Sequence, residues 1–256
     1  MNIQRQLSLV LLLALCVAVA SVQTTPAKAQ ENPRPKQATQ KQKPRNPAMQ
    51  PVEDIAGLPR VLLIGDSISI GYTVAVRERL NGIANVHRPL TNCGPTTKGV
   101  AELEKWLGDK PWDVIHFNFG LHDLKYMGPG GKNLATPSDP TSRRQVSPSD
   151  YAKNLQKIVE ILQSTNAKLV WRNTTPVPLG AKGRIVGDSE AYNAIAEMIM
   201  QHAHIPTDDH YSFARANMED IQRPADVHFT PEGSAKLAEL AVKSIRVALS
   251  EVRNSN

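Results

Sequence analysis

A serine follows directly on a strand-like apolar run in the first third of the chain. Val61-Leu62-Leu63-Ile64 is typical of a buried parallel strand, and Gly65-Asp66-Ser67 comes next. Open α/β sheets carry their chemistry at the carboxyl edge, where a turn after this strand would present Ser67. Ser67 is therefore a candidate nucleophile, provided that a base reaches it. The tripeptide alone equally suits an ordinary turn or a helix cap.

An acid and a histidine stand near the other end of the chain. Asp226 and His228 lie just ahead of Thr230-Pro231, which is a predicted helix start. Ester hydrolysis by serine needs a base for the hydroxyl proton, an acid that orients the base, and donors for the oxyanion. Two further polar blocks lie between these ends, Asn92-Cys93-Gly94 and Gly120-Leu121-His122-Asp123.

Taken in order, these blocks resemble those of the SGNH (GDSL) hydrolase family of esterases and lipases, from about residue 61 to residue 249. The resemblance implies an α/β fold, a flavodoxin-like three-layer α/β/α sandwich. It implies Ser67 as nucleophile and His228 as base. It also assigns the oxyanion hole to the backbone N–H groups of Ser67 and Gly94 and to one asparagine side chain.

The acid departs from the family pattern. The family's acid stands three residues before the histidine, where this chain has Ala225, and Asp226 stands two before. A carboxylate at that spacing reaches the ring nitrogen only if the turn is tight. We expect Asp226 to be the orienting acid, with Asp220 or a Ser-His dyad as alternatives.

The side-chain oxyanion donor departs as well, because His122 occupies the position of the family's asparagine. A neutral imidazole carries one N–H and can still donate to an oxyanion. A protonated ring would stabilise the oxyanion further but would make activity sensitive to pH. Asn118, two residues before Gly120, could donate instead only if the strand end is distorted.

The remaining polar residues of these blocks have more modest expected roles. Asp66 and Asp123 are expected near the pocket, pinning turns rather than reacting. Asn173 ends a predicted strand at the same sheet edge, where it could line the pocket or belong to a rigid proline turn. Cys93 lacks a base of its own and is predicted to be a packing residue. No cluster has convincing metal-ligand spacing, Asp208-Asp209-His210 being the nearest, so we predict no metal and no cofactor.

The elements that position these residues alternate between strand and helix, which favours a sheet of about five parallel strands covered on both faces. The predicted strands are Arg60–Ile64, Asn85–Arg88, Asp113–Phe119, Lys168–Asn173 and Ile205–Asp208. The predicted helices are Gly71–Leu80, Thr97–Leu107, one opened by Ser147-Pro148, Ser189–His202 and one opened by Thr230-Pro231. Lys125–Val146 is rich in Gly, Pro, Ser and Thr, and we expect a long loop bordering the pocket or a disordered insertion.

The N-terminal region differs from the rest in composition. Residues 1–29 are predicted to be a secretory signal peptide, with Arg5, an apolar core and an Ala27-Lys28-Ala29 cleavage site. Residues 30–54 are predicted to be a disordered Pro/Lys/Gln-rich linker and residues 55–252 the hydrolase domain. We therefore expect a secreted or periplasmic protein, not inserted in a membrane after cleavage.

The basic charge of the chain belongs to this N-terminal region. Residues 1–50 hold 7 of the 30 Lys and Arg and 1 of the 24 Asp and Glu, leaving 23 of each in residues 51–256. No argument for nucleic-acid binding remains after that subtraction, although a basic tail could touch an anionic polymer. After signal removal Cys93 is the one remaining cysteine, so the mature chain forms no internal disulfide.

The leading functional prediction is a secreted serine esterase that removes small acyl groups, acetyl above all, from a carbohydrate. An exported domain without an apolar lid suits a polymer too large to import, and Lys125, Lys132 and Arg143 could contact sugar hydroxyls or carboxylates. A lipase or thioesterase of the same family is the alternative. A glycan-binding module on a retained hydrolase fold is the rival from another class. The substrate is an acylated small molecule or polysaccharide, and the oligomeric state stays open.

Overall fold

The computed structural model describes residues 46–255 of the 256-residue chain. The predicted signal peptide, residues 1–29, and residues 30–45 of the predicted linker lie outside this range. The strands are β1 (Arg60–Ile64), β2 (Asn85–His87), β3 (Val114–Phe117), β4 (Tyr126–Met127), β5 (Arg143–Arg144), β6 (Lys168–Arg172) and β7 (Thr207–Asp208).

Five of these strands form one parallel sheet in the order β2-β1-β3-β6-β7. In the register of the two central strands, Val61 faces Val114 and Ile64 faces Phe117. The apolar residues of β1 and β3 are buried on both faces, as expected for a parallel strand between two helical layers. The strand order is that of flavodoxin-like folds, whose switch point lies between β1 and β3. The predicted five-stranded parallel α/β fold is therefore confirmed.

Helices cover both faces of the sheet. They are α1 (Ser67–Arg79), α2 (Thr96–Leu107), α3 (Pro148–Gln163), α4 (Asp188–His202), α5 (His210–Ala216), α6 (Met218–Ile221) and α7 (Pro231–Ser255). On one face α1 packs against α7, and on the other α2, α3 and α4 pack against one another in series. Among residues 46–255, no helix has both the length and the apolar character that a membrane span needs.

The start of α3 illustrates how the sequence specifies these helices. Ser147 caps it, accepting a hydrogen bond from Asp150 N at 3.1 Å, and Pro148 occupies the first turn, where its missing N–H costs nothing. The helix then buries one stripe at near 3.6-residue spacing. That stripe is the predicted one: Tyr151, Leu155, Ile158, Val159 and Leu162.

Three predicted boundaries differ from the structure by more than two residues. The helix predicted at Gly71–Leu80 begins at Ser67, because Asp66 caps it there. Residues 46–54 of the predicted linker 30–54 lie against the domain instead: Arg77 donates to Pro47 O and Gln50 O at 3.0 and 3.2 Å. The predicted domain end at residue 252 falls inside α7, which continues to Ser255.

The predicted loop Lys125–Val146 is not a disordered insertion. It contains the antiparallel pair β4–β5 and a short 3₁₀ turn at Pro129–Gly131. Tyr126 N donates to Gly183 O at 2.7 Å, which ties this segment to the loop before α4. Backbone hydrogen bonds thus hold the segment beside the carboxyl edge of the sheet.

Candidate active site

Ser67 is the first residue of α1, one turn beyond the end of β1. The Asp66 carboxylate accepts from Ile68 N at 3.0 Å and so caps the helix. Gly65 permits the sharp turn, since a Cβ there would lie 2.9 Å from Ser69 Oγ. As the first helical residue, Ser67 has a backbone N–H without an intrahelical acceptor. The hydroxyl and the backbone N–H of Ser67 therefore both lie at the switch point of the sheet.

The structure brings Ser67, His228 and Asp226 together although Ser67 and His228 are 161 residues apart. Ser67 Oγ lies 2.8 Å from His228 Nε2, and His228 Nδ1 lies 2.7 Å from Asp226 Oδ1. Because the carboxylate accepts the proton of Nδ1, Nε2 is left with a lone pair facing the serine hydroxyl. Burial raises the pKa of Asp226, but hydrogen bonds from the ring and backbone N–H of His228 outweigh it and lower that pKa below its usual value. The acid is thus ionised where it must orient the base.

A left-handed residue explains how an acid two positions before the histidine reaches the ring. Ala225 has φ +53°, a conformation that costs an L-residue with a Cβ roughly 1–2 kcal/mol. The turn is closed by Asp226 N donating to Arg223 O at 3.2 Å and Arg223 N donating to His228 O at 2.9 Å. Asp226 Oδ1 also accepts His228 N at 3.1 Å. The alternative acid, Asp220, is exposed in α6 and has no such contact.

His122 lies half-buried in the loop that follows β3, and its surroundings indicate its protonation state. Lys125 Nζ lies 3.3 Å from His122 Nδ1, so the ammonium donates to that nitrogen. Burial lowers the pKa of His122 to about 4; the Asp66 carboxylate opposes this shift, and the charges of Lys125, Arg184 and His228 add to it. The ring is therefore neutral at pH 7, and its one N–H is on Nε2. A neutral N–H of this kind is able to donate to an oxyanion.

The other two predicted or alternative donors are occupied. Gly94 N donates to Asn92 Oδ1 at 2.9 Å, so in this structure that N–H is engaged within its own loop. Asn118 is 2% exposed, donates to Arg172 O at 2.7 Å, and accepts from the Arg172 guanidinium. Asn118 therefore braces the end of β3 against β6, and its amide is engaged there rather than available as the alternative oxyanion donor.

Asp123 and Asn173 also serve the scaffold. Asp123 is fully buried, and its Oδ1 accepts from Thr96 N and Thr96 Oγ1 at 2.8 and 2.5 Å, which caps α2. Burial raises the pKa of Asp123 to about 7. Asn173 accepts from Tyr211 N and donates to Asp209 Oδ1, both at 2.7 Å, so it secures α5 rather than lining the site. Cys93 is fully buried, and burial raises its pKa to about 11, which agrees with a packing role.

Spacing did not reveal one buried cluster. His116, Asp208 and His210 bring ligand atoms within 4.8 Å of one another, a set able to hold a metal ion. Asp208 Oδ2 accepts from both histidine Nε2 atoms and from Ser244 Oγ, each at 2.9 Å. Sequence spacing indicated only Asp208 and His210 of this set, because His116 comes from β3, far from the other two in sequence. Asp208 Oδ2 already accepts three hydrogen bonds, so the cluster is a buried polar brace between β3, β7 and α7.

Sequence reasoning missed one residue beside the site. Arg184, in the loop before α4, donates from Nε and an Nη atom to Leu121 O at 3.2 and 3.1 Å, directly before His122. No motif marks this position, because the contact depends on how the loop folds back over the end of β3.

A cavity of about 500 Å³ lies between α1 and α7, and Ser67 is one of the residues that line it.

A parallel α/β sheet that presents a serine and a histidine in hydrogen-bond contact at its switch point defines a hydrolase. More specifically, the model of the GDSL-like lipase/acylhydrolase family matches residues 63–236. That match covers more than half of the chain, so the chain belongs to this family and is a carboxylic ester hydrolase. The predicted resemblance is confirmed. No curated protein sequence matches the chain significantly.

Solved structures resemble this fold at low sequence identity. The acetyl xylan esterase AlAXEase is 16% identical, with a TM-score of 0.59 over 73% of this chain and 99% of that one. A lipase/acylhydrolase from Enterococcus faecalis is 17% identical, with a TM-score of 0.59 over 73% and 95%. The esterase EstA from Pseudoalteromonas sp. is 13% identical, with a TM-score of 0.55 over 75% and 98%. These similarities support the fold.

Proposed function

We propose that this protein is a secreted or periplasmic serine esterase that removes O-acyl groups, acetyl above all, from a carbohydrate. The observation that carries the proposal is the Ser67 Oγ to His228 Nε2 distance of 2.8 Å, with Asp226 at 2.7 Å on the other ring nitrogen. The predicted signal peptide supports export. A site of this kind needs no cofactor.

The reaction runs in two halves. Ser67 Oγ attacks the ester carbonyl carbon while His228 Nε2 takes its proton, and the oxyanion receives the Ser67 N–H and the Nε2–H of His122. His228 then gives the proton to the leaving alcohol oxygen, which leaves acyl-Ser67. Water attacks the acyl carbon as His228 takes one of its protons. His228 returns that proton to Ser67 Oγ, and the carboxylic acid is released.

Three arguments favour an acetylated carbohydrate. An exported enzyme meets polymers that are too large to import, and the segment 125–146 beside the site is polar rather than apolar. One structure of the same fold is that of an acetyl xylan esterase, which supports a sugar ester as the substrate class.

The test is acetate release from a panel of acetylated polysaccharides, with p-nitrophenyl acetate as a simple ester. We expect the wild type to release acetate, Ser67→Ala to release none, and the exposed matched control Ser138→Ala to match the wild type. Retained hydrolysis in Ser67→Ala would contradict the proposed nucleophile. Glycan binding without hydrolysis by the wild type would favour the binding-module alternative.

A second candidate is a hydrolase of longer acyl chains. The cavity beside Ser67 is lined by apolar side chains including Ile68, Ile70, Val74 and Phe229, and its volume of about 500 Å³ exceeds what an acetyl group fills. A series of p-nitrophenyl esters from acetate to decanoate separates the candidates. Activity that falls steadily beyond acetate supports the acetylesterase, and activity that rises toward octanoate supports the alternative.

A further inference from the structure

Two cationic side chains flank His122, the proposed oxyanion donor. Lys125 Nζ lies 3.3 Å from His122 Nδ1, and the Arg184 guanidinium contacts the carbonyl oxygen of Leu121 through two nitrogens at 3.1 and 3.2 Å. Both side chains are half-buried. They come from different segments, the one after β3 and the loop before α4, which the Tyr126 N to Gly183 O hydrogen bond joins.

The partners of these cations are neutral. Lys125 donates to an imidazole, and Arg184 donates to the carbonyls of Leu121 and Lys182. Within the described residues, neither cation forms an ion pair with a carboxylate. Burial lowers the pKa of both Lys125 and Arg184, and the surrounding carboxylates of Asp66, Asp123 and Asp226 offset this only in part.

The two carboxylates that raise the pKa of Arg184, those of Asp66 and Asp226, are committed elsewhere. Asp66 caps α1 through Ile68 N and has the Arg172 guanidinium at 3.9 Å. Asp226 accepts both the ring and the backbone N–H of His228. Neither can turn toward Arg184 without giving up the cap or the orientation of the base.

Hydrogen-bond donors remain on both cations. A guanidinium carries five N–H groups and an ammonium three. The contacts above use three on Arg184 and one on Lys125, so each keeps two. Two half-buried cations with spare donors beside His122 and Leu121 are suited to bind an anion, and a guanidinium suits a carboxylate best.

We propose that Lys125 and Arg184 form a subsite for a carboxylate on the substrate, so that the preferred substrate is an acetylated acidic sugar. The inference rests on the proposed function, in which the enzyme removes an acetyl group from a carbohydrate. The acetyl group itself carries no charge. The carboxylate must then belong to the alcohol portion, as it does in an O-acetylated uronate.

The experiment compares two esters that differ only in charge: an O-acetylated methyl galacturonoside and its C6 methyl ester. The measured quantity is the ratio of their kcat/KM values, in which any general damage to catalysis cancels. We expect the wild type to prefer the acid by about 10- to 100-fold, the range that charged hydrogen bonds provide. The preference should lie mainly in KM and should weaken as salt is raised.

Substitutions assign the preference to the two residues. Arg184→Gln and Lys125→Gln should each remove most of the preference, and Arg184→Lys should keep part of it. The exposed control Lys182→Gln, on the same loop as Arg184, should keep all of it.

The outcomes separate this inference from the proposed function. Equal hydrolysis of both esters by the wild type would overturn the subsite and leave the esterase standing. An equal loss on both esters in Arg184→Gln would also overturn it, since the cation would then serve the oxyanion and not the substrate's charge. Hydrolysis of neither ester would contradict the proposed function itself.

Discussion

Replacing Asp226 by Asn removes the charge behind His228 while keeping an oxygen acceptor of the same size. The carboxylate lies 2.7 Å from His228 Nδ1. Coulomb's law gives about 1.5 kcal/mol for unit charges at that separation in water and about 6 kcal/mol at an effective dielectric constant of about 20. The side chains of His228 and Asp226 are 43% and 40% exposed, which places the site between these limits. We expect a loss of about 3 kcal/mol in the transition state, or on the order of 10²-fold in kcat.

The assay is steady-state hydrolysis of p-nitrophenyl acetate by Asp226→Asn, with Asp220→Asn as the matched control. Asp220 is the alternative acid by sequence but is exposed and has no hydrogen bond to the His228 ring, so its variant should retain wild-type turnover. The loss in Asp226→Asn should fall on kcat, because His228 carries its charge only in the transition state. Thermal unfolding of both variants checks that the fold is intact.

Two results would refute this reasoning. Near wild-type kcat in a folded Asp226→Asn would leave Ser67 and His228 working as a dyad. A large loss in Asp220→Asn with little change in Asp226→Asn would move the acid to α6 and contradict the geometry of the Ala225 turn.

The other predictions concern the oxyanion donor and a buried acid. His122→Ala should lower kcat by about 10²–10³-fold with little change in KM, and His122→Asn should recover part of the loss; wild-type turnover in His122→Ala would rule out the donor role. Because the pKa of His122 is about 4, acidification from pH 8 to 6 should bring no gain in rate from a protonated ring, which a pH–rate profile checks. Burial raises the pKa of Asp123 from 3.8 to about 7, so its stabilising contribution is present below pH 3.8 and is lost as pH rises through 7. Urea titrations measure the free energy of unfolding of the wild type and of Asp123→Asn. The difference between them should fall by on the order of 4 kcal/mol between pH 4 and 8. A difference independent of pH would contradict the raised pKa.

Local patterns predicted the scaffold well where the signal lies within a few residues. The run Val61–Ile64 and the Ser147-Pro148 cap each carry their own evidence, and β1 and α3 lie where these patterns indicate. The start of α1 was missed because Ser69 and Gly71 are poor helix formers. Its first turn depends on the Asp66 cap and on packing against α7.

The site was predictable where a motif carried it and not where the fold alone makes the contact. Ser67, His228 and Asp226 come from recognisable blocks, whereas the left-handed Ala225 that brings the acid to the ring follows from the closed turn. Arg184 and His116 have no local signature, because their partners lie 63 and 92 residues away. Such contacts depend on topology, which periodicity does not encode.

The central claim is that Ser67 is the nucleophile, and covalent labelling tests it most directly. A p-nitrophenyl alkylphosphonate should form one adduct per chain, release one equivalent of p-nitrophenol and abolish ester hydrolysis in proportion to labelling. Peptide mass spectrometry should place the adduct on Ser67 and not on the buried Ser69, and Ser67→Ala should take no label. An adduct at another residue, or full labelling of Ser67 with hydrolysis unchanged, would contradict the account.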